Sequence, residues 1–128
     1  MTRSQVLKIS FLSVFFLLIV NQVALSINLF WAVWWMDLVL HFLGGLVIGS
    51  VIISLFLRRS DPFLYMAGVV TTITMIVALG WEGYEFFAQI AYARNYIVDT
   101  LTDIGFGLAG ALTMTIFAHA ILNRKKKN

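Results

Sequence analysis

The chain has 128 residues, of which 61% are hydrophobic and 12% charged, with a net charge of +3 and no cysteine. A soluble domain carries about 25% charged residues, and a 14.4 kDa protein has too little interior to hide this much apolar surface from water. A soluble fold, a disulfide framework and a thiolate site are therefore excluded, and lipid must be the solvent for most of the chain.

The first apolar segment covers about residues 8–28, with Ser10, Ser13, Asn21, Gln22 and Ser26 as its polar interruptions. About 20 apolar residues cross the hydrocarbon core, so the segment reads as a membrane span. A cleavable signal peptide is the rival reading, because Ala24-Leu25-Ser26 is a passable small-residue site. Trp31, Trp34 and Trp35 follow, and tryptophans clustered between two apolar runs read as an interfacial belt. The second span covers about 37–57 and stops at Arg58-Arg59. Ser60-Asp61-Pro62 opens the third span, about 62–92, with Asp61 expected as N-cap and Pro62 as the first helical residue. Arg94-Asn95 makes the next turn. The fourth span covers about 98–122 and runs into Arg124-Lys125-Lys126-Lys127. The expected fold is thus all-α: one membrane domain over residues 1–128, built as a four-helix polytopic bundle.

Four spans place both termini on one side. Arg3, Lys8, Arg58, Arg59, Arg124 and Lys125 to Lys127 fall on that side, against Arg94 alone on the other. Eight against one makes the terminal side of this multi-pass chain cytoplasmic. The basic residues serve topology and anionic lipid, so nucleic acid is not an expected partner.

Depth follows from 1.5 Å of rise per helical residue. Counted from the cytoplasmic ends, His41 lies roughly 25 Å up, and Glu82 and Asp103 roughly 30 Å. Asp37, Glu85 and Asp99 come out between roughly 31 and 37 Å. Every acidic residue except Asp61 thus falls, with His41, in one slab at the outer leaflet. Four residues at about 100° each bring Asp103 under Asp99 and His41 under Asp37. The same stripes continue to Gly107 and Gly110 on the fourth span and to Gly44 and Gly45 on the second. Gly45-xxx-Gly49 and Gly107-xxx-Ala111 have the spacing that lets membrane helices approach closely. The second and fourth spans are therefore expected to touch through glycine below the acids. Glu82 and Glu85 of the third span, sharing a face with Met75, Ala78 and Gln89, would then close the site.

Each of these residues also has a plainer role. Asp37 and Asp99 begin helices, where a carboxylate caps free N–H groups. His41, Glu82, Glu85 and Asp103 lie within spans, where ionisable groups are costly and mark functional interiors; their plain reading is mutual pairing in a wet interface. His119 lies at a helix C-terminus near the headgroups and needs no special role.

Asp37-xxx-His41-Phe42 followed by glycines, Glu82-xx-Glu85 followed by aromatics, and Asp99-Thr-xx-Asp103 with later glycines occur in that order. The ordered set resembles the YjdF-type bacterial inner-membrane family and, more loosely, the VanZ-like proteins associated with glycopeptide resistance. Where VanZ-like chains carry a polar Asn in the last helix, this chain has glycines. The resemblance covers the second to fourth spans and implies architecture and site residues, but no reaction.

Carboxylates from facing helices with one imidazole are hard, oxygen-rich ligands suited to Mg2+, Mn2+, Fe2+ or Zn2+. The expected metal ligands are Asp37, His41, Glu82, Glu85, Asp99 and Asp103. The residues expected to carry chemistry are His41, Glu82 and Asp103, with a lipid or cell-wall precursor as the substrate class. Two other functions compete. Intramembrane acids and a histidine also serve proton and cation transport, although the cytoplasmic halves of the spans offer no ionisable relay. A Trp-rich outer face also suits a non-catalytic helper that binds lipid or a partner protein. No feature of the sequence sets an oligomeric state.

Overall fold

Thr2 opens the first helix with a reciprocal cap: its hydroxyl accepts from the Gln5 N–H, and the Gln5 side chain accepts from the Thr2 N–H at 2.8 Å. The computed structural model describes residues 2–58, 61–90 and 95–127. Its elements are α1 (Arg3–Ser26), a single turn α2 (Leu29–Ala32), α3 (Met36–Phe56), α4 (Phe63–Ala88) and α5 (Tyr96–Lys127). Four of these are long and apolar enough to cross a membrane: α1, α3, α4 and the Tyr96–Ile121 part of α5. The described residues are all-helical, as expected.

Helix ends account for most departures from expectation. Asp61 does not cap α4; its Oδ2 accepts from the Arg58 N–H at 2.7 Å, closing the preceding turn, and Pro62 takes the cap position. The third span stops at Ala88 rather than near residue 92, because Gln89 turns left-handed (φ 56°). The Gln89 and Ile90 N–H groups fold back onto α4 carbonyls, the usual way such a turn satisfies a helix end. Asn28 (φ 54°) makes the corresponding break after α1. Asp37 and Asp99 are not caps either. Trp35 precedes α3 without a side-chain cap bond, and Asn95 supplies the acceptor for the Val98 N–H at the start of α5. The turn expected around Arg94 lies outside the described residues.

The bundle is organised on α3 and α5. A Cβ at Gly45 would collide with the Gly107 carbonyl, and one at Gly110 with the Phe42 carbonyl. A Cβ at Gly49 would lie 3.1 Å from the Ala111 oxygen. The two backbones meet through the glycines that the spacing singled out. Beneath the seam, toward the end that carries Leu57, a small core of Ile52, Leu57, Met66, Val70 and Ala111 joins α3, α4 and α5. Phe15 and Phe16 of α1, Leu64 and Ile76 of α4 and Phe117 of α5 point outward, as lipid-facing residues do. The first helix docks on α3 through polar contacts. Ser50 donates to the Val47 carbonyl at 2.8 Å, so the 2.5 Å Ser10–Ser50 bond is donated by Ser10. Arg3 Nη2 donates to the Leu57 carbonyl at 2.6 Å, satisfying the C-cap of α3.

Candidate functional site: an acidic and histidine pocket at one end of the bundle

Because α3 and α5 begin where α4 ends, their ionisable residues gather at one end of the bundle. They form two tiers. Asp37, Glu85 and Asp99 lie within about 5 Å of the helix ends, and His41, Glu82 and Asp103 lie about 8–10 Å in. Burial follows the tiers. Asp103 is 1% exposed and Glu82 4%, whereas the Asp37 side chain is 30% exposed and Glu85 and Asp99 are half-buried.

His41 is the junction. Its Nε2 lies 3.6 Å from Asp37 Oδ1 and 4.0 Å from Glu82 Oε1. These separations are electrostatic contacts, too long for hydrogen bonds. Asp37, His41 and Asp103 offer three ligand atoms within 4.8 Å of one another, and His41, Glu82 and Glu85 offer a second such set. His41 belongs to both. Asp99 lies outside both sets, and lines the outer pocket with Asp37, Glu85 and Asp103.

The deep groups are gathered without being bonded. Both carboxylate oxygens of Asp103 are buried with no hydrogen-bond partner, and Oε1 of Glu82 is buried with none of good geometry. The large majority of buried side-chain polar atoms are paired, so these oxygens of Asp103 and Glu82, gathered beside one imidazole, are a reservoir of unmet interactions. Glu85 is better served: Trp81 Nε1, one turn below, donates to its Oε1 at 2.8 Å. Tyr96 fixes the start of α5 against the end of α4 by donating to the Glu82 carbonyl at 3.1 Å.

Two residues in these contacts carry more than sequence reasoning gave them. Trp81 reads as an interfacial anchor, yet it orients Glu85; the signal was its four-residue spacing from that acid. Asn21 of α1 lines the pockets on both sides of Asp37. Its signal was a lone amide in an apolar span. Among the described residues, no Lys or Arg lines either pocket.

The model of a family described as "Predicted membrane protein (DUF2238)" matches residues 2–124, which takes in all four spans. No curated protein matches the chain, and no solved structure matches it.

Proposed function

The chain belongs to the DUF2238 family of membrane proteins, the family to which the YjdF-type resemblance pointed, and from that premise we propose a cation-binding role in the outer leaflet. In this reading it is a small multi-pass protein of the bacterial cytoplasmic membrane. It holds a divalent cation between α3, α4 and α5 and acts on a lipid or cell-envelope substrate.

One observation carries the reading: both Asp103 oxygens are buried and unpartnered beside His41 and Asp37. A buried carboxylate without partners costs several kcal/mol unless a charge or a set of donors meets it. Among the described residues the pocket offers no Lys or Arg for this. A cation supplies it. Ligand atoms around one ion at about 2.0–2.2 Å lie at most about 4.4 Å apart, so sets already within 4.8 Å close on an ion by small side-chain adjustments. Oxygen donors with one imidazole suit Mg2+, Mn2+, Fe2+ or Zn2+.

In the first set Asp37, His41 and Asp103 would hold the ion, and in the second His41, Glu82 and Glu85. A cation there supplies Lewis acidity toward a phosphate oxygen or a bound water. The chain's own residues do the rest. His41, lying between the two sets, is ligand or general base; Trp81 holds Glu85 toward it; and the α3–α5 seam fixes the spacing. A transport role is less well supported, because the inner half of the bundle is closed by the apolar core around Met66, Val70 and Ala111.

Metal analysis of the purified protein tests the proposal. About one cation per chain is expected after equilibration with Mn2+ or Zn2+, with a rise in melting temperature; His41→Ala, which removes a ligand from both sets, should show neither, and Asp103→Asn should bind about 10–100-fold more weakly or worse. Protein that takes up none of the four ions, with a melting temperature insensitive to all of them, would falsify it.

A further inference from the structure

Below the acidic pocket lies a second, almost wholly apolar chamber of about 270 Å³. Three helices line it, over Val14 to Asn21, Asp37 to Ile48 and Thr74 to Trp81, and α5 adds Gly107. Along α1 and α4, seven steps of 1.5 Å make it roughly 10 Å tall, about two-thirds of a ~15 Å hydrocarbon leaflet. Antiparallel packing puts Asn21, His41 and Trp81 at its outer end and Val14, Ile48 and Thr74 at its inner end. Asp37 and Asn21 line this chamber and also the acidic outer pocket of about 400 Å³, so the two spaces adjoin. Because α1 meets the bundle chiefly through α3 and barely touches α4, the gap between α1 and α4 is the chamber's side toward the bilayer.

We propose that this chamber holds one hydrocarbon chain of a phosphate-bearing membrane lipid, whose phosphate meets the cation at His41 and Asp37. The inference rests on the cation site proposed above and names the class of molecule that site addresses. An apolar void does not fill with water, and an unfilled one forfeits contacts along its whole lining. The neighbouring solvent is lipid. The chamber is near the lower limit of small-molecule sites, ~300 Å³, which suits one chain and excludes a bulky ring system. At the outer end the carboxylates repel a bare phosphate, but a divalent cation held by a few of them takes phosphate oxygens readily. The polar and apolar parts of the ligand thus match two adjoining spaces in the right order along the membrane normal.

Gly44 provides the test, since it lines the chamber and a Cβ there meets nothing within 4 Å. Gly44→Leu puts a branched side chain into this space from a position whose Cβ is clear of every neighbour. Trp81 also lines the chamber and serves as reporter once Trp31, Trp34 and Trp35 are changed to Phe. Detergent-purified protein is titrated with chain-brominated phosphatidic acid or chain-brominated diacylglycerol, with and without Mg2+, and bound metal is measured on the same samples. Saturable quenching of Trp81 is expected from the phosphatidic acid, at least 10-fold tighter with Mg2+. Gly44→Leu should abolish it with metal content unchanged. Equal quenching in wild type and Gly44→Leu would mean surrounding lipid alone and overturn the proposal, as would equal affinity for the diacylglycerol. Loss of metal from the unsubstituted protein would instead mark failure of the cation site.

Discussion

Asp103 is the residue on which the two accounts of this pocket part. As a structural acid it should stabilise the bundle; as a ligand it should burden the metal-free protein. It has no hydrogen bond and is 1% exposed. Replacing it by Asn keeps shape and removes charge, and a buried unpartnered charge is the more expensive of the two to bury. Without metal, Asp103→Asn is therefore expected to melt at the same temperature as wild type or above it. With Mn2+ wild type should gain stability, because the native state holds the ion and the unfolded chain does not, and the variant should gain less, its metal affinity lower by about 10–100-fold or more. A variant that melts well below wild type in both conditions would make Asp103 a structural residue. His41, Glu82, Glu85 and Asp103 were legible in the sequence because an ionisable group in a span is conspicuous and helical periodicity assigns it a face. Asp99 was legible only in part, since periodicity gives a stripe but not which of its members turns inward.

At the scale of the helices, one contact sets the site. Gly45 lies four residues after His41 and Gly107 four after Asp103, so the closest approach of α3 and α5 comes one turn below the pair it positions. Any side chain at Gly45 or Gly110 meets backbone, which does not yield as a flexible side chain does. Gly45→Ala and Gly110→Ala are each expected to cost about 1–3 kcal/mol in thermal unfolding and to weaken metal binding with it. Gly44→Ala, one residue away with open space around it, should be neutral or gain up to about 0.5–1 kcal/mol from helix propensity. Equal effects at Gly44 and Gly45 would remove the seam from the account. Small residues at four-residue spacing made this contact readable. Helix ends were less so: α4 stops at Gln89, a residue type with no particular liking for the left-handed turn it adopts, and Asp61 serves the turn before it instead of the helix after it. The docking face of α1 was also hidden, because its apolar residues surround it and leave only Ser10 and Asn21 as marks. The chamber was invisible for the same reason.

For the whole molecule, function depends on which way the bundle faces, since the same pocket opens either to the cell envelope or to the cytoplasm. Both α1 and α5 carry their basic residues at the end away from the pocket: Arg3 and Lys8 begin α1, and Arg124 to Lys127 lie at the end of α5. Arg58 follows α3 at that same end, bonded through its N–H to Asp61. Basic residues near span ends are retained on the cytoplasmic side, so the acidic pocket should face outward. The chain has no cysteine, which makes a single introduced one a clean reporter. Asp61→Cys should react with a membrane-impermeant maleimide only after the cells are opened. Asn95→Cys, at the start of α5 on the pocket side, should react in intact cells. The reverse pattern would turn the pocket toward the cytoplasm and replace an envelope substrate with a cytoplasmic-leaflet one. Labelling of both positions in intact cells would break the four-span arrangement itself.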